Sequence, residues 1–238
     1  MSGPSDVSPG QGAQPGLNVA DSAATAGDEA ETEANAQDAE RSVFFSDAVV
    51  AIAITLLALE LPVPEGSSGM SNGQLLHALD NNLGDYLSCV ISFIVIGNHW
   101  TVHRRTFRHV RRLNRAVNGY NMCWLLMMVL TPFAARLLAG DGAFGVRFGF
   151  YAVIQVIAIG CLMQIRRHLI ADGLLGTDAT GADRHPDISP SLAMIAVFLV
   201  SIPVAFATSW AYALWGAIPL ATRLARWIHG RWFALPPS

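Results

Sequence analysis

One carboxylate in an apolar run is the residue whose chemistry most needs explaining. In Arg41-Ser-Val-Phe-Phe45-Ser46-Asp47-Ala-Val-Val-Ala-Ile52-Ala-Ile-Thr55-Leu56-Leu-Ala-Leu59-Glu60, Asp47 is followed by a long aliphatic stretch. An ionisable group within a membrane helix is costly unless it is paired. Arg41 is six positions away and so is not Asp47's neighbour on a helix surface. Partners must come from elsewhere in the chain. Asn98, His99, Trp100 and His103 close one apolar run, and Asn118 and Asn121 open the next. With Arg41, Phe45, Ser46 and Asp47 they are expected to form a structural polar cluster, which would fix the orientation of the first helix as satisfied polar networks do.

The same residues have other readings. His99 and His103, at i and i+4, have the spacing of a metal-binding pair, and histidine titrates near neutrality. No zinc-protease carboxylate motif accompanies them, so no metal is expected. There is no nucleotide-binding glycine loop and no nucleophile elbow. Neither a cofactor, nor an enzymatic reaction, nor a nucleic-acid partner is expected. Cys89, Cys123 and Cys161 lie in apolar runs without ligand spacing, which argues against a disulfide framework.

At about 100° per residue, Phe45, Ile52, Thr55, Leu56 and Leu59 share one face of the first helix, and Ser46 and Asp47 point away from it. Ile52, Leu56 and Leu59 follow i, i+4, i+7 spacing. Ordinary helix packing produces such a stripe. So does a pore, in which copies around an axis stack apolar rings that can gate by dewetting. Glu60 would then sit at the outer mouth and raise the local cation concentration.

The elements that must carry these residues follow from composition. Of the 238 residues 52% are apolar and 14% are charged, with mean hydropathy +0.38; a soluble domain carries roughly 25% charge. Residues 1–40 hold eight of the 18 acids and no base. They are too polar to offset their ordering entropy and are expected to form a disordered acidic tail. All 15 bases are arginine and lie beyond residue 40. A bilayer core of about 30 Å takes roughly 20 apolar helical residues. Candidate spans are Val43–Leu61, Leu83–His103, Ala116–Leu138 and Phe144–Ile165. A fifth apolar stretch, Ile188–Thr222, would run roughly 52 Å as one helix. It is expected to divide near Ala207–Trp210 into two spans, kinked at Pro203 and Pro219.

Six spans with both termini inside place 13 arginines on the cytoplasmic side and only Arg136 and Arg147 outside, in keeping with the positive-inside rule. Most of the inner arginines are expected either to bind lipid phosphate or to keep away from any pore axis. The expected fold is an all-α polytopic membrane protein. Residues 41–229 would form a six-helix domain and residues 230–238 a short cytoplasmic tail.

The string Arg41-x-x-x-Phe45-Ser46-Asp47 followed by Ala-Ile-Ala-Ile-Thr-Leu-Leu-x-Leu-Glu resembles the signature of the transmembrane protein 175 family of potassium channels. Trp100-x-x-His103, Phe107, Asn121 and Pro132-Phe133 continue the resemblance, which covers about residues 41–135. His103-Arg104 departs from the two adjacent histidines often found in the family. The resemblance implies a homotetramer in the plasma membrane that conducts potassium ions passively through a pore lined by helix one. Ile52, Leu56 and Leu59 would be constriction rings and Thr55 a hydroxyl layer. The alternative reading is a secondary transporter of a small cation or solute, a class that commonly shows repeats and broken helices.

Overall fold

Prolines, glycines and polar caps set most helix ends in the computed structural model, which describes residues 15–232 except 60, 65, 185 and 186. Glu60, assigned to an outer mouth, therefore lies outside the described residues. The first helix, α1, runs Pro15–Leu59 and stops before the Pro62 and Pro64 pair. It begins well inside the segment expected to lack structure, of which residues 1–14 lie outside the described residues. Alanine and glutamate are strong helix formers, and a helix already nucleated by the apolar half can propagate through them at one hydrogen bond per residue. Polarity keeps that segment from burying surface without preventing a helix: residues 30–34 are exposed, and Ala39 is the first buried residue described.

Between the first two long helices lies a short one that the sequence reading did not expect. It is α2, Asn72–Asn81, opened by a reciprocal cap. The Gln74 backbone N–H donates to Ser71 Oγ at 3.4 Å, and the Ser71 N–H donates to Gln74 Oε1 at 2.9 Å. Next come α3, Leu83–Phe107, and α4, Arg115–Ala139, whose Asn114 cap accepts from the Val117 N–H at 2.8 Å. A tight turn leads to α5, Phe144–Ala171. Gly142 and Ala143 both take positive φ there, 66° and 38°. Arg147 holds the turn by donating to the carbonyls of Leu138 at 2.9 Å, Gly142 at 2.6 Å, and Gly140. The remaining helices are α6 (Gly181–Arg184), α7 (Ser189–Ala207), α8 (Tyr212–Gly216) and α9 (Ile218–Trp232).

Helix α4 packs on α5, α5 on α7 and α7 on α9, while α1 lies against α3 and α4. Trp124, Met128, Phe148, Tyr151 and Ile165 are fully buried between the central helices. Gly145 permits the close approach of α5 to α7: a Cβ at that position would sit 2.7 Å from the Phe206 ring.

Among the described residues, four helical segments are long and apolar enough to cross a membrane: Ala30–Leu59, Arg115–Ala139, Phe144–Ala171 and Ser189–Ala207. The expected second and sixth spans differ from these. Helix α3 has the length, but Asp85, Asn98, His99, His103, Arg104 and Arg105 dilute its apolarity. The 35-residue stretch divides after Ala207, within the expected interval, but α9 has 15 residues, roughly 22 Å, and carries Arg223, Arg226 and Arg231.

Candidate functional site

Helix α1 has two unlike faces. Ser46, Val50, Ala53 and Leu57, at steps of four, three and four, are at most 2% exposed against α3 and α4. Phe45, Ile52, Leu56 and Leu59 are 54%, 60%, 38% and 80% exposed. The stripe read from the wheel is thus the face that the chain's own bundle leaves uncovered. Thr55 is exposed beside it, and its hydroxyl donates to the Ile52 carbonyl at 2.8 Å. With its proton committed to the helix, the Thr55 oxygen keeps its lone pairs for another partner.

The covered face carries the polar network. Trp100 Nε1 donates to Asp47 Oδ1 at 2.8 Å, tying α3 to α1. Next to it, His103 Nε2 lies 3.0 Å from Asn121 Oδ1, Asn121 Nδ2 donates to Ser46 Oγ at 3.0 Å, and Ser46 Oγ donates to the Ser42 carbonyl at 2.8 Å. The direction of this chain follows from its last member. A carbonyl can only accept, so the Ser46 hydroxyl proton points at Ser42 and its lone pair receives the Asn121 amide. The Asn121 oxygen then faces His103, which must donate from Nε2. The His103 ring is sandwiched between Trp124, at 4.3 Å and 9°, and Phe107, at 4.4 Å and 27°. Its other nitrogen, Nδ1, is buried without a hydrogen-bond partner. Arg104 stacks over Trp100 at 4.9 Å.

A second chain of the same polarity runs one turn away. His99 Nε2 is 3.2 Å from Gln155 Oε1, Gln155 Nε2 donates to Thr131 Oγ1 at 3.4 Å, and Thr131 Oγ1 donates to the Met127 carbonyl at 2.8 Å. His103 thus joins α3 to α4 and α1, and His99 joins α3 to α5 and α4. Interhelical hydrogen bonds inside membrane proteins contribute about 0.6 kcal/mol each on average and up to about 1.7. Their value here is as much in setting helix rotation as in energy.

The expected cluster therefore divides. Ser46, Asp47, Trp100, His103 and Asn121 come together. His99 belongs to the second chain. Arg41, Phe45, Asn98 and Asn118 are exposed and do not join either one. Arg41 and Phe45 lie on the uncovered side of α1, and Asn98 and Asn118 at outward-facing positions of α3 and α4. Sequence reasoning missed Gln155 and Thr131, polar residues inside apolar runs, and the Ser92–Tyr151 hydroxyl pair at 3.2 Å. The available signal was their isolation among apolar neighbours, the same signal that singled out Asp47.

Away from the helices, the two linkers at one end of the bundle are clipped together. The Gly176 N–H donates to the His109 carbonyl at 2.8 Å, and the Arg111 N–H to the Leu174 carbonyl at 3.1 Å. His109 Nδ1 lies 3.1 Å from Asp178 Oδ2, and its Nε2 lies 3.8 Å from Asp183 Oδ2. The hydrogen bond with His109 holds the Asp178 carboxyl below the usual carboxylate range, and Thr180 does the same for Asp183.

Three comparisons bear on identity. Residues 41–132 match the profile of a family described as the endosomal/lysosomal potassium channel TMEM175. A potassium channel of Streptomyces collinus is 35% identical over 135 residues, 55% of this chain and 64% of that protein, so the match spans just under two thirds of its length. A potassium channel of Chamaesiphon minutus is 34% identical over 149 residues, covering 59% of this chain and 70% of that protein. Among solved structures, the crystal structure of a lysosomal potassium-selective channel TMEM175 homologue from Chamaesiphon minutus superposes with TM-score 0.61 at 26% identity, over 82% of this chain and 98% of that one. With its apolar helices, its matching fold and a first helix carrying Phe45-Ser46-Asp47, this membrane protein belongs to the TMEM175 family.

Proposed function

We propose that the chain is one subunit of a passive, potassium-selective channel, a homotetramer in the plasma membrane whose central pore is lined by α1. The observation that carries this reading is the division of α1. Its face bearing Ser46, Val50, Ala53 and Leu57 is locked into the chain's own bundle, while the stripe of Ile52, Leu56 and Leu59 is left facing away. The stripe lies in the segment that matches the family of the relatives named as potassium channels, and it is free of contacts within the chain that would keep it from a shared axis. Four such stripes about an axis would stack apolar rings of the kind that gate by dewetting. Thr55, with its lone pairs directed away from its own helix hydrogen bond, would supply an oxygen layer to a cation between the Ile52 and Leu56 rings. The relatives named as potassium channels support the choice of ion.

In this reading the chain crosses the membrane six times with both termini in the cytoplasm. Helix α3 spans with Ser92, His99 and His103 turned into the bundle, and α8 and α9 together make the last crossing. Arg41, Phe45, Asn98 and Asn118, exposed in the single chain, are assigned to contacts between subunits or to the membrane surface. Ser46, Asp47, Trp100, His103 and Asn121 hold α1 at the rotation that presents the stripe, and His99 fixes α3 against α5 behind them.

The test is flux. Purified protein in liposomes should pass potassium ions down their gradient alone, and its mass in detergent should be that of four chains. Flux that requires a coupled proton or sodium gradient would refute the channel reading, and a monomeric mass would refute the central pore.

A further inference from the structure

We propose that a cavity of about 400 Å³ at the arginine-rich end of the bundle is a binding site for a phosphate monoester. The cavity lies where the end of α3, the end of α5 and the linker before α7 meet. Arg105 and Arg108 line it from the first, Arg166 from the second and Asp183 from the third. Arg166 is the central observation. It is half-buried, and its guanidinium donates to Thr106 Oγ1 at 3.3 Å. Among the described residues, no carboxylate lies within 4.0 Å of Arg166, Arg105 or Arg108.

A guanidinium drawn out of water and given one neutral acceptor has not recovered its hydration. A planar fork of N–H donors is best satisfied by a bidentate oxyanion, and phosphate suits it as well as carboxylate does. Asp183 is the opposing charge and is already engaged. Its Oδ2 accepts from the Thr180 N–H at 2.9 Å and from the Thr180 hydroxyl at 2.7 Å, besides lying near His109. Three arginines against one aspartate leave two positive charges around the cavity, the match for a phosphate dianion. Ile170 and Leu175 form an apolar wall on the same cavity. A phosphate carried on a glycerol or acyl chain would cover that wall; a free phosphate would leave it bare. The ligand chemistry is the same for a lipid headgroup and for a soluble phosphate, and binding tells the two sources apart. The site is independent of the pore and would stand if the channel reading failed.

The experiment uses the full chain purified in uncharged detergent and titrated by calorimetry. The probes are dioctanoyl phosphatidic acid, inorganic phosphate, and dioctanoyl phosphatidylcholine as the lipid without a monoester. Phosphatidic acid is expected to bind saturably and phosphatidylcholine not to bind. Arg166→Gln should weaken the phosphatidic acid Kd at least tenfold, with Arg166→Lys recovering part of the loss. Should Arg166→Gln fail to fold, the Arg105→Gln/Arg108→Gln pair, at exposed positions, carries the same expectation. Arginine-dependent binding of inorganic phosphate as well supports the site with a soluble source, and binding of phosphatidic acid alone supports it with a lipid source. Absence of saturable binding, equal binding of phosphatidylcholine, or a Kd unmoved by the arginine variants overturns it.

Discussion

The two faces of α1 are built from the same helix and obey opposite rules. The face at Ser46, Val50, Ala53 and Leu57 is covered by α3 and α4, and its polar atoms are paired. The face at Phe45, Ile52, Leu56 and Leu59 holds large side chains with no cover from the same chain. Hydrophobicity alone would have assigned these faces the other way round. What separates them is that polar groups in an apolar medium must be satisfied within the protein, whereas aliphatic groups can face lipid, a dewetted pore or another subunit. One face is therefore constrained by the chain's own fold, and the other is not.

Substitutions on the two faces should separate accordingly. Asn121→Ala removes the link between His103 and Ser46 and leaves both buried groups short of a partner. It should cost about 1–3 kcal/mol, read as a lowered midpoint of thermal unfolding in detergent. An unchanged midpoint would show that the network orients nothing. Asp47→Ala loses one hydrogen bond, from Trp100, and should cost roughly 1–2 kcal/mol; expression and assembly should fall more than ion preference changes. A well-assembled protein altered only in selectivity would move Asp47 from the structural face to the transport path.

On the open face, Ile52→Asn and Leu56→Asn should leave stability within about 0.5 kcal/mol while changing potassium conductance severalfold. Unchanged currents in both would remove α1 from the pore. Thr55→Val, which keeps the shape and deletes the oxygen, should leave folding intact and lower the preference for potassium over sodium in bi-ionic measurements.

The smallest effect lies away from both faces, in the clipped linkers. Asp178 and Asp183 have carboxyls held below the ordinary value, by His109 and by Thr180 respectively. A depressed value in the folded chain means stabilisation that is present above the ordinary carboxylate range, about pH 4, and lost as pH falls through the depressed one. Both groups are at the surface, so the contribution is small and screened by salt. Hydrogen exchange in residues 172–184 should accelerate, relative to α1, between about pH 5 and pH 3. Equal relative protection at the two pH values would leave the clip without an electrostatic component.

Much of this was legible in the primary structure, and the failures have physical causes. Low charge content, the spacing of the apolar runs and Asp47 inside the first of them pointed to a membrane protein with a polar knot. Pro62 and Pro64 lie just beyond the end of α1, where the first apolar run was expected to close. The acidic tail was expected to lack structure because composition speaks to burial; α1 nevertheless begins at Pro15, and alanine and glutamate too polar to enter a core still make a good helix. Leu83–His103 was expected to span on run length, and the polar residues inside α3 set it apart from the four apolar segments found among the described residues. Asn98 and Asn118 were placed in the knot because they lie at the right depth, but the adjacent Asn121 and the next-turn His103 have the azimuth that reaches it.

Within one helix, sequence determined the azimuth of every side chain, since 100° per residue is a property of the backbone. It thereby determined that Ile52, Leu56 and Leu59 share a face and that Ser46 and Asp47 do not. Which face of α1 would be covered was a tertiary decision, because the rotation and depth of α3, α4 and α5 depend on packing summed over many side chains. The same packing brought Gln155 and Thr131 to His99, and Asn121 to both His103 and Ser46. No local rule relates residues that far apart in the chain; only the requirement that each buried donor meet an acceptor does.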